Sequence, residues 1–434
     1  MINISTQPFH DRQYFSLDEW LLWQESFHYT AIELGLDRCM TVATNLGLLK
    51  PEHHIISIAG TNGKGSSAKM LSSILTHAGY KVGCYTSPHI INYNERIQID
   101  GIEIDDTTLC NSFARIDRAR GNISLTYFEF GTLAAMDIFR DSSVDIAILE
   151  VGLGGRLDAV NCFDADVALV TSIDLDHQNW LGKDRESIAR EKAGILRASA
   201  PAICSDFDPP VSLLGYAEKL NTRIYTGGED FNYKINGDKW FWWSDKNQFD
   251  VLPTPSLYNE AQIQNASGVL MVLETLADRF PVGNEAIVRG LAEFKLNGRF
   301  QIVPDTAQII LDVAHNCESA RNLVTNLQKI PVNGTTYLLI GMLKDKDHYS
   351  VFTQLETIAD FWHIVPLDAP RGTEANSLGK VLSAMHVEDR TSVHQSIPDA
   401  LDNIRSIVNP DDRIVITGSF LTVAAAIKYL GLKA

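Results

Sequence analysis

A short apolar run that ends in a glycine-rich turn constrains the fold of this chain more than any other segment. The run Ile55 to Ala59 is followed by Gly60-Thr61-Asn62-Gly63-Lys64-Gly65-Ser66 and then by a stretch of helical character, Ser67 to Leu75. A strand, a glycine-rich loop and a helix N-terminus in this order turn loop N–H groups and the helix dipole toward an anion, and the lysine adds a mobile positive charge. The segment therefore predicts a phosphate-binding loop in an α/β fold.

The loop departs from the usual Gly-x-x-x-x-Gly-Lys-Ser/Thr pattern, because Gly65 separates Lys64 from the hydroxyl group of Ser66. A turn rich in glycine, asparagine and serine also occurs as an ordinary connection between a strand and a helix. Taken alone, the pattern leaves both interpretations open.

Composition is typical of a globular protein. Of the 434 residues, 45% are apolar and 21% are charged, and the length suggests two or three domains. The formal charge of −17 disfavours non-specific binding to nucleic acid or to an anionic membrane.

The six cysteines are scattered without a Cys-x-x-Cys pair, which favours reduced thiols over a disulfide framework or a zinc site. The first fifteen residues lack a signal-peptide core, and no apolar run approaches the ~20 residues that span a bilayer, so we expect a cytoplasmic protein.

Apolar runs alternate with helical stretches in the first two thirds of the chain. A helical pattern covers Leu17 to Leu49 with a break near Gly35, and another covers Asn259 to Phe280. Residues around Asn236-Gly237 alternate between polar and apolar, which predicts an antiparallel hairpin. Near-continuous apolar strands are typical of a parallel sheet that is covered on both faces. The candidate strands are His54–Ala59, Lys81–Tyr85, Val144–Val151, Val167–Ser172 and Ala202–Cys204.

A second alternating series follows Leu296-Asn297-Gly298-Arg299 and predicts another, smaller doubly wound unit. Its candidate strands are Gln308–Val313, Thr336–Gly341, Phe361–Pro366 and Arg413–Thr417. We therefore predict an α/β protein of two domains. Residues 1–296 would form N-terminal helices and a P-loop-type doubly wound domain, and residues 297–434 a smaller, Rossmann-like α/β domain.

Polar side chains follow two predicted strands at the edge where ligands bind in parallel sheets. Glu150 ends an apolar strand beside a glycine-rich turn, and a carboxylate next to a phosphate loop suits Mg²⁺, which bridges protein oxygens and phosphates. His177 closes Asp174-Leu175-Asp176-His177 and could ligate a metal through a neutral imidazole nitrogen. In isolation, a solvated glutamate and a surface or core histidine remain open alternatives.

Four further residues carry charge near predicted strand or helix ends. The spacing of Lys192 favours a lysine at a helix C-terminus, where the helix dipole stabilises it. Asp312 and His315 follow the first strand of the second unit, and Arg299 lies at the junction. Facing the phosphate loop across an interdomain cleft, these three side chains could steer a nucleotide as the cleft closes. The dense charges of Gly341 to Asp347 are also consistent with a solvated loop.

In this order the motifs resemble the folylpolyglutamate synthase/dihydrofolate synthase family, a branch of the Mur ligase superfamily. The resemblance covers nearly the whole chain, and Gly-Lys-Gly-Ser is that family's own form of the loop. The other motifs that carry it are Thr30 to Arg38, Thr86-Ser87-Pro88-His89, Glu95-Arg96, Phe128-Glu129, Glu150 to Asn161, Asp176-His177, Glu191 to Gly194, Gly298-Arg299-Phe300, Asp312 to Asn316 and Gly341 to Asp347.

The resemblance implies an ATP-dependent ligase that forms amide bonds. ATP would phosphorylate a substrate carboxylate, and the amino group of L-glutamate would then displace phosphate from the acyl phosphate. A carboxylate is a poor electrophile and phosphorylation supplies a leaving group, while Mg²⁺, with two ions possible, and cationic side chains would neutralise the charge that develops. The implied acceptors are dihydropteroate and folates, and the enzyme would be a bifunctional monomer.

Roles for individual residues follow from the same resemblance. Lys64 would hold the β- and γ-phosphates, and Lys192 matches a lysine that family members carbamylate, which replaces its interpretation as a helix-terminal residue. The implied metal ligands are Ser87, Glu150, His177 and carbamylated Lys192, and the catalytic residues are Lys64, His177 and Lys192. The implied nucleotide-binding residues are Gly60, Thr61, Asn62, Gly63, Lys64, Gly65, Ser66, Asn265, Arg299, Asp312 and His315. The implied substrate-binding residues are Pro88, His89, Arg96, Phe128 and Glu129.

The chain departs from the family pattern at a few positions. Val313 stands where many relatives have glycine, Tyr127 stands where many have phenylalanine, and Pro370-Arg371-Gly372-Thr373 is close to the family's segment without being identical. These differences concern substrate preference rather than the class of reaction. The alternatives are a ligase restricted to one acceptor, a Mur-type cell-wall ligase and a non-catalytic ATP-binding module.

Overall fold

Two open sheets with helices on their faces organise the residues that the computed structural model describes, which are 12, 14–30, 32–237, 239–255, 260–294 and 296–432. The predicted α/β fold class is confirmed. Ala31, Asp238 and Asn259, which belong to predicted segments, lie outside the described residues. Among the described residues, no helix combines the length and the apolar character that crossing a bilayer requires.

The larger sheet has eight strands in the order β4-β3-β2-β5-β1-β6-β7-β8. Six strands, β2, β5, β1, β6, β7 and β8, run parallel to one another in that order. The strands β3 and β4 add an antiparallel edge next to β2. All five predicted strands are present, and the ones that were missed are only two or three residues long. The strands are β1 (His54–Ala59), β2 (Val82–Tyr85), β3 (Ile97–Ile99), β4 (Ile102–Glu103), β5 (Ile146–Glu150), β6 (Val167–Val170), β7 (Ala202–Cys204) and β8 (Ile224–Thr226).

Helices cover both faces of this sheet. The predicted N-terminal helical region is two helices, the first of which starts at a capping box formed by Ser16 and Glu19 and buries Trp20 and Trp23. The second ends at Gly47, whose φ of 71° allows the chain to turn out of the helix. The helices are α1 (Leu17–Phe27), α2 (Asp37–Leu46), α3 (Lys64–His77), α4 (Asp106–Arg120), α5 (Tyr127–Asp141), α6 (Gln178–Leu181), α7 (Arg185–Ala193), α8 (Val211–Lys219), α9 (Glu260–Leu276) and α10 (Asn284–Glu293).

The predicted hairpin is confirmed as part of a three-stranded antiparallel sheet in the order β11-β10-β9. Its strands are β9 (Phe231–Asn236), β10 (Lys239–Ser244) and β11 (Gln248–Pro253). Trp240 and Trp242 of β10 are fully buried, and the indole N–H of Trp242 donates to the carbonyl of Ser267 in α9. This small sheet therefore packs on the helix that also supplies Asn265.

The smaller sheet has six strands in the order β12-β13-β17-β14-β15-β16, with β12 antiparallel to β13 and the others parallel. The strands are β12 (Gln301–Val303), β13 (Gln308–Leu311), β14 (Thr336–Ile340), β15 (Phe361–Ile364), β16 (Thr391–Val393) and β17 (Arg413–Thr417). The helices are α11 (Cys317–Lys329), α12 (His348–Leu355), α13 (Ala375–Ala384), α14 (Ile397–Arg405) and α15 (Phe420–Tyr429). We call the elements through α10 the N-terminal unit and those from β12 onward the C-terminal unit; the domain boundary at residue 296 stays a prediction.

Strand register brings the polar segments of the N-terminal unit to one edge. In the pairing of β1 with its neighbours, Ile58 lies opposite Glu150 of β5, and Ala59 lies opposite Val170 of β6. The phosphate loop, the turn after Glu150 and the segment 171–177 therefore leave the sheet side by side. The C-terminal unit faces this edge with the residues that follow β13 and β14, so the fold creates a cleft between the two units.

Candidate active site

The phosphate loop wraps the N-terminus of α3 as the sequence predicts. Gly63 is the N-cap residue with a φ of 86°, and a Cβ atom there would lie 2.3 Å from Oδ1 of Asn265. The hydroxyl group of Thr171 donates to the carbonyl of Asn62 at 2.7 Å and fixes the loop from the neighbouring strand. The ammonium group of Lys64 donates to the carbonyls of Gly60 at 3.1 Å and Thr61 at 3.2 Å. The lysine is thus folded over its own loop, where a phosphate would reach it.

A cavity of about 210 Å³ lies between the loop and the C-terminal unit; we call it the nucleotide cavity. The described residues lining it include every side chain predicted to bind the nucleotide or the metal. These are Gly60, Thr61, Asn62, Gly63, Lys64, Gly65, Ser66, Ser87, Glu150, His177, Lys192, Asn265, Arg299, Asp312 and His315. Residues up to 256 positions apart in the chain are in contact here, and the individual roles assigned to them remain predictions.

Buried and half-buried charges of both signs face this cavity. Burial lowers the pKa of Lys64 and raises the pKa of Glu150, and in each case the charge of the other residue offsets part of the shift. The same relation holds for a second pair, Arg299 and Asp312. Burial lowers the pKa of Arg299 and raises the pKa of Asp312, and the charge of each residue offsets part of the shift of the other. A bound polyphosphate would give these cations the negative charge that the protein supplies only in part.

The three unmodified predicted metal ligands form an open set. Glu150 is 4% exposed and its Oε2 accepts a hydrogen bond from the backbone N–H of Ser87 at 2.9 Å. Burial lowers the pKa of His177 to about 4, so its imidazole is neutral near pH 7 and can offer a nitrogen lone pair. The described residues contain no cluster of three or more His, Cys, Asp and Glu side chains able to hold a metal. Few protein ligands beside a phosphate loop fit Mg²⁺, which keeps water and phosphate oxygens as its other ligands.

Lys192 lies near the end of α7, as its spacing indicated, yet its side chain is buried and lines the nucleotide cavity. Burial, together with the charge of Lys64, lowers the pKa of Lys192 to about 7. Within the described part of the chain, its amine has no hydrogen bond and no ion pair. A large fraction of this amine is therefore unprotonated near neutral pH, and unprotonated amine is the form that reacts with CO₂.

Asp176 joins the two units and was not assigned a role from the sequence. It accepts a hydrogen bond from Lys346 Nζ at 2.7 Å and from Asn316 Nδ2 at 3.1 Å, and its Oδ2 is 3.6 Å from Nε2 of His315. Burial alone would raise the pKa of Asp176, but the contacts with His315 and Lys346 lower it strongly. Asn62 of the phosphate loop also exchanges amide hydrogen bonds with Asn316 at 3.2 and 3.3 Å. The charged segment containing Lys346, which was consistent with a solvated loop, thus contacts the cleft.

A second cavity of about 290 Å³ adjoins the first; we call it the acceptor cavity. The two cavities share the lining residues Ser87, Pro88, Gly152, Leu153 and His177. The remaining described lining residues are Ile32, Glu33, Leu34, Gly35, Arg96, Thr126, Tyr127, Phe128, Glu129, Leu157, Asp158, Ala159 and Arg371. The aromatic and aliphatic walls suit a flat, largely apolar ligand that reaches the nucleotide cavity at one end.

Four of the five predicted substrate residues line the acceptor cavity, namely Pro88, Arg96, Phe128 and Glu129. Two of them, Arg96 and Glu129, also bond to other protein groups. Arg96 is 8% exposed, lies over the rings of Tyr93 and Tyr127, and donates from Nε to Nδ1 of His89 at 2.9 Å. His89 itself lines neither cavity, so its contact with substrate stays a prediction.

The Glu129 carboxylate accepts the Thr126 N–H at 2.7 Å and closes the capping box that begins α5. The spacing Thr-x-x-Glu already carried this signal. The cap gives Glu129 a local structural role beside its predicted contact with substrate.

Comparisons with known proteins identify the family of this chain. The chain matches the Mur ligase middle domain over residues 58–266 and the Mur ligase glutamate ligase domain over residues 298–420. It is 42% identical to the dihydrofolate synthase/folylpolyglutamate synthase of Escherichia coli (strain K12), with 94% of each chain covered. The corresponding protein of Haemophilus influenzae is 37% identical over 94% of this chain and 96% of its own.

Solved structures show the same relation. Escherichia coli FolC in complex with DHPP and ADP superposes with a TM-score of 0.91 at 41% identity and covers 96% of this chain and 98% of its own. A bifunctional folylpolyglutamate synthase/dihydrofolate synthase with Mn, AMPPNP and L-glutamate bound gives 0.89 at 41% identity, covering 97% and 99%. The chain therefore belongs to the dihydrofolate synthase/folylpolyglutamate synthase family of Mur ligase enzymes, which are ATP-dependent ligases that form amide bonds.

Proposed function

We propose that this chain joins L-glutamate to dihydropteroate and to folates in ATP-dependent reactions that pass through an acyl phosphate. The observation that carries the proposal is the wall common to the two cavities, which includes Ser87 and His177. An acid held in the acceptor cavity would meet the terminal phosphate of a nucleotide at that wall. A relative with bound Mn, AMPPNP and L-glutamate and another with DHPP and ADP support this combination of ligands.

The residues of the nucleotide cavity supply binding and charge neutralisation. Lys64 and the loop N–H groups would hold the β- and γ-phosphates, and Arg299 would approach from the junction between the units. Ser87, Glu150 and His177 would hold Mg²⁺, which neutralises phosphate charge and orients the terminal phosphoryl group. Asn265 contacts the loop at Gly63 and would lie beside the base. Asp312 accepts the N–H groups of Phe300 and Ala314 at 2.8 Å, which fixes this carboxylate at the cavity wall.

The order of bond changes follows from the chemistry of carboxylates. Attack of the acceptor carboxylate on the γ-phosphorus forms the acyl phosphate and releases ADP. The unprotonated amino group of L-glutamate then adds to the acyl carbon, and the carbon–oxygen bond to phosphate breaks. Cations around the cavity would stabilise the oxyanion and the departing phosphate, because they are partly desolvated and already in place.

Carbamylated Lys192 completes the proposal as a ligand of a second metal. The buried amine, which lacks a hydrogen-bonding partner in the described residues, would attack CO₂ and lose a proton, and the product is an anionic carbamate. Such a group would replace a side chain whose positive charge is disfavoured beside Lys64 with an anionic partner for Lys64. Carbon-13 NMR in labelled bicarbonate should show a carbamate resonance that is missing in Lys192→Met.

The remaining parts of the proposal concern organisation. We propose domains divided at residue 296, which the two large sheets support, and a monomer, which the cleft completed by one chain supports. We also propose a cytoplasmic location, for which the scattered cysteines are the support.

Phosphate release tests the function. Purified protein should release phosphate only when ATP, Mg²⁺, L-glutamate and an acceptor are all present, and it should do so with dihydropteroate and with tetrahydrofolate. A relative from Lacticaseibacillus casei at 30% identity is named folylpolyglutamate synthase only, so activity with a single acceptor is the competing result. Release with neither acceptor would reject the proposal, and release with a UDP-sugar peptide would favour a cell-wall ligase.

A further inference from the structure

Arg371 is the one described residue of the C-terminal unit that lines the acceptor cavity. It belongs to the segment Pro370-Arg371-Gly372-Thr373, which follows β15. Its side chain is 45% exposed. The C-terminal unit therefore contributes a partly exposed cation to the cavity where the acceptor would bind.

A charged loop holds Arg371 at the wall of the acceptor cavity. Its guanidinium group donates to both carboxylate oxygens of Asp345, at 2.6 and 3.2 Å, and its carbonyl accepts the N–H of Lys344 at 2.9 Å. The same loop contacts the N-terminal unit through Lys346 and Asp176, the residue next to His177. Arg371 is therefore oriented by Asp345 and lines the same cavity as His177.

The other charges of this cavity are committed to the protein. The carboxylate of Glu33 contacts His28 and Arg38, and that of Glu129 caps α5. Asp158 accepts the backbone N–H groups of Leu153 at 2.8 Å and Val160 at 3.0 Å. The other arginine of the cavity, Arg96, is buried against two tyrosine rings on the wall that carries Tyr127. Arg371 is thus the partly exposed cation of the acceptor cavity.

The two proposed acceptors differ in the charge that they carry near the reacting carboxylate. Dihydropteroate has a single carboxylate, which is the group that reacts. A folate reacts through the γ-carboxylate of its glutamyl residue and keeps the α-carboxylate as an anion a few bonds away. A cation beside the reaction centre therefore interacts with folates in a way that dihydropteroate cannot match.

We propose that Arg371 binds the α-carboxylate of the terminal glutamyl residue of folate acceptors and so sets the preference between the two acceptors. This inference rests on the proposed function, because it assumes that the acceptor carboxylate reacts at the wall shared by the two cavities. Arginine suits the role since its planar guanidinium group can bind the ligand carboxylate while Asp345 holds its other edge.

Kinetics of Arg371→Met, Arg371→Lys and a control test the inference. A charge-assisted hydrogen bond is worth about 1.5–3 kcal/mol, so Arg371→Met should lower kcat/KM for tetrahydrofolate by ~10–100-fold. The value for dihydropteroate and the KM for ATP should change by less than about threefold, and Arg371→Lys should recover part of the loss. The control is Lys380→Met, which removes an exposed positive charge from α13 of the same unit.

A modified acceptor makes the test specific. With the α-carboxamide of tetrahydrofolate, the wild type should lose about as much as it loses through Arg371→Met, and the variant should lose little more. Calorimetric binding of tetrahydrofolate, its α-carboxamide and dihydropteroate gives the same comparison without turnover. Equal losses with all three acceptors would show a merely structural role and overturn the inference. A wild-type enzyme without turnover would instead reject the proposed function, while the binding comparison would still decide the role of Arg371.

Discussion

The nucleotide cavity and the acceptor cavity share a wall, but they use their charges in opposite ways. Lys192 is buried and Lys64 and Arg299 are half-buried at the nucleotide cavity, and desolvation lowers the pKa of each. The acids of the acceptor cavity, such as Glu129 and Asp158, have backbone N–H groups as local partners. The cations of the first cavity face the space for a ligand, whereas these two acids of the second cavity maintain its walls.

We therefore expect the nucleotide cavity to control the rate of reaction and the acceptor cavity to control the choice of acceptor. A change at the nucleotide cavity should act on the rate of phosphoryl transfer with every acceptor, because the same groups face the phosphates. A change in the walls of the acceptor cavity should act on which acid is accepted. Substitutions that violate this division would show that the two spaces operate as a single site.

Loss of Lys64 should have the largest effect. Lys64→Ala removes a preorganised positive charge at the phosphate loop, and we expect kcat to fall by ~10²–10³-fold or more with either acceptor. The protein should keep a cooperative thermal transition, because the ammonium group bonds only to loop carbonyls in the described structure. Steady-state kinetics and calorimetry measure both, with Lys380→Ala as the control. Turnover that survives this substitution would remove Lys64 from the phosphate site.

Gly63→Ala should come next and act on nucleotide binding. The new Cβ atom would lie 2.3 Å from Oδ1 of Asn265 at a φ of 86°. We expect a loss of ~1–3 kcal/mol in unfolding free energy and an increase of tenfold or more in the KM for ATP. Gly47→Ala is the matched control, because its φ is 71° but no atom lies within 4 Å of the new Cβ. Equal effects at both glycines would mean that backbone strain, not the Asn265 contact, is responsible.

Gly152→Ala should weaken binding of the acceptor more than binding of ATP. Its Cβ would lie 2.6 Å from Cζ of Phe128, which lines only the acceptor cavity of the two. The ring must move into the space for the acid, so the KM for either acceptor should rise by about tenfold, and by more than the KM for ATP. Gly215→Ala, where nothing lies within 4 Å, should leave both constants unchanged. A larger rise for ATP would contradict the division between the cavities.

A pair of histidines that lines neither cavity provides a reference. Nδ1 of His363 lies 2.9 Å from Nε2 of His394, and burial lowers the pKa of His363 to about 4. Because the folded state disfavours its protonation, stability is complete above the ordinary pKa of 6.5 and falls as the pH drops below it. Between pH 7 and pH 5 we expect a loss of about 1–2 kcal/mol from this residue. Denaturant unfolding should show a smaller loss in His363→Gln, whereas an identical pH profile would exclude the pair as its source.

Prediction of structural elements from the sequence succeeded where the signal lies in one contiguous motif. The phosphate loop, the segment at Asp312 and the strands between them are all recognisable in short windows, because apolar runs and glycine turns are local properties. Asp176 was quoted in a motif but had no assigned role, since its meaning depends on Lys346, 170 residues away.

The acceptor cavity was harder to predict for the same reason. Its walls combine Ile32, Tyr127, Asp158 and Arg371, which come from four distant segments. Edge strands such as β4 were missed because two residues carry no periodicity.

The wall that the two cavities share has a consequence for inhibition and resistance. A bisubstrate compound that links a phosphate mimic to a pterin-like acid would run along Ser87, Pro88 and His177. Any mutation there that excluded the compound would also obstruct both natural ligands. Resistance mutations should therefore be confined to the parts of the cavity walls that are not shared. A substitution there could abolish activity with one acceptor and leave activity with the other.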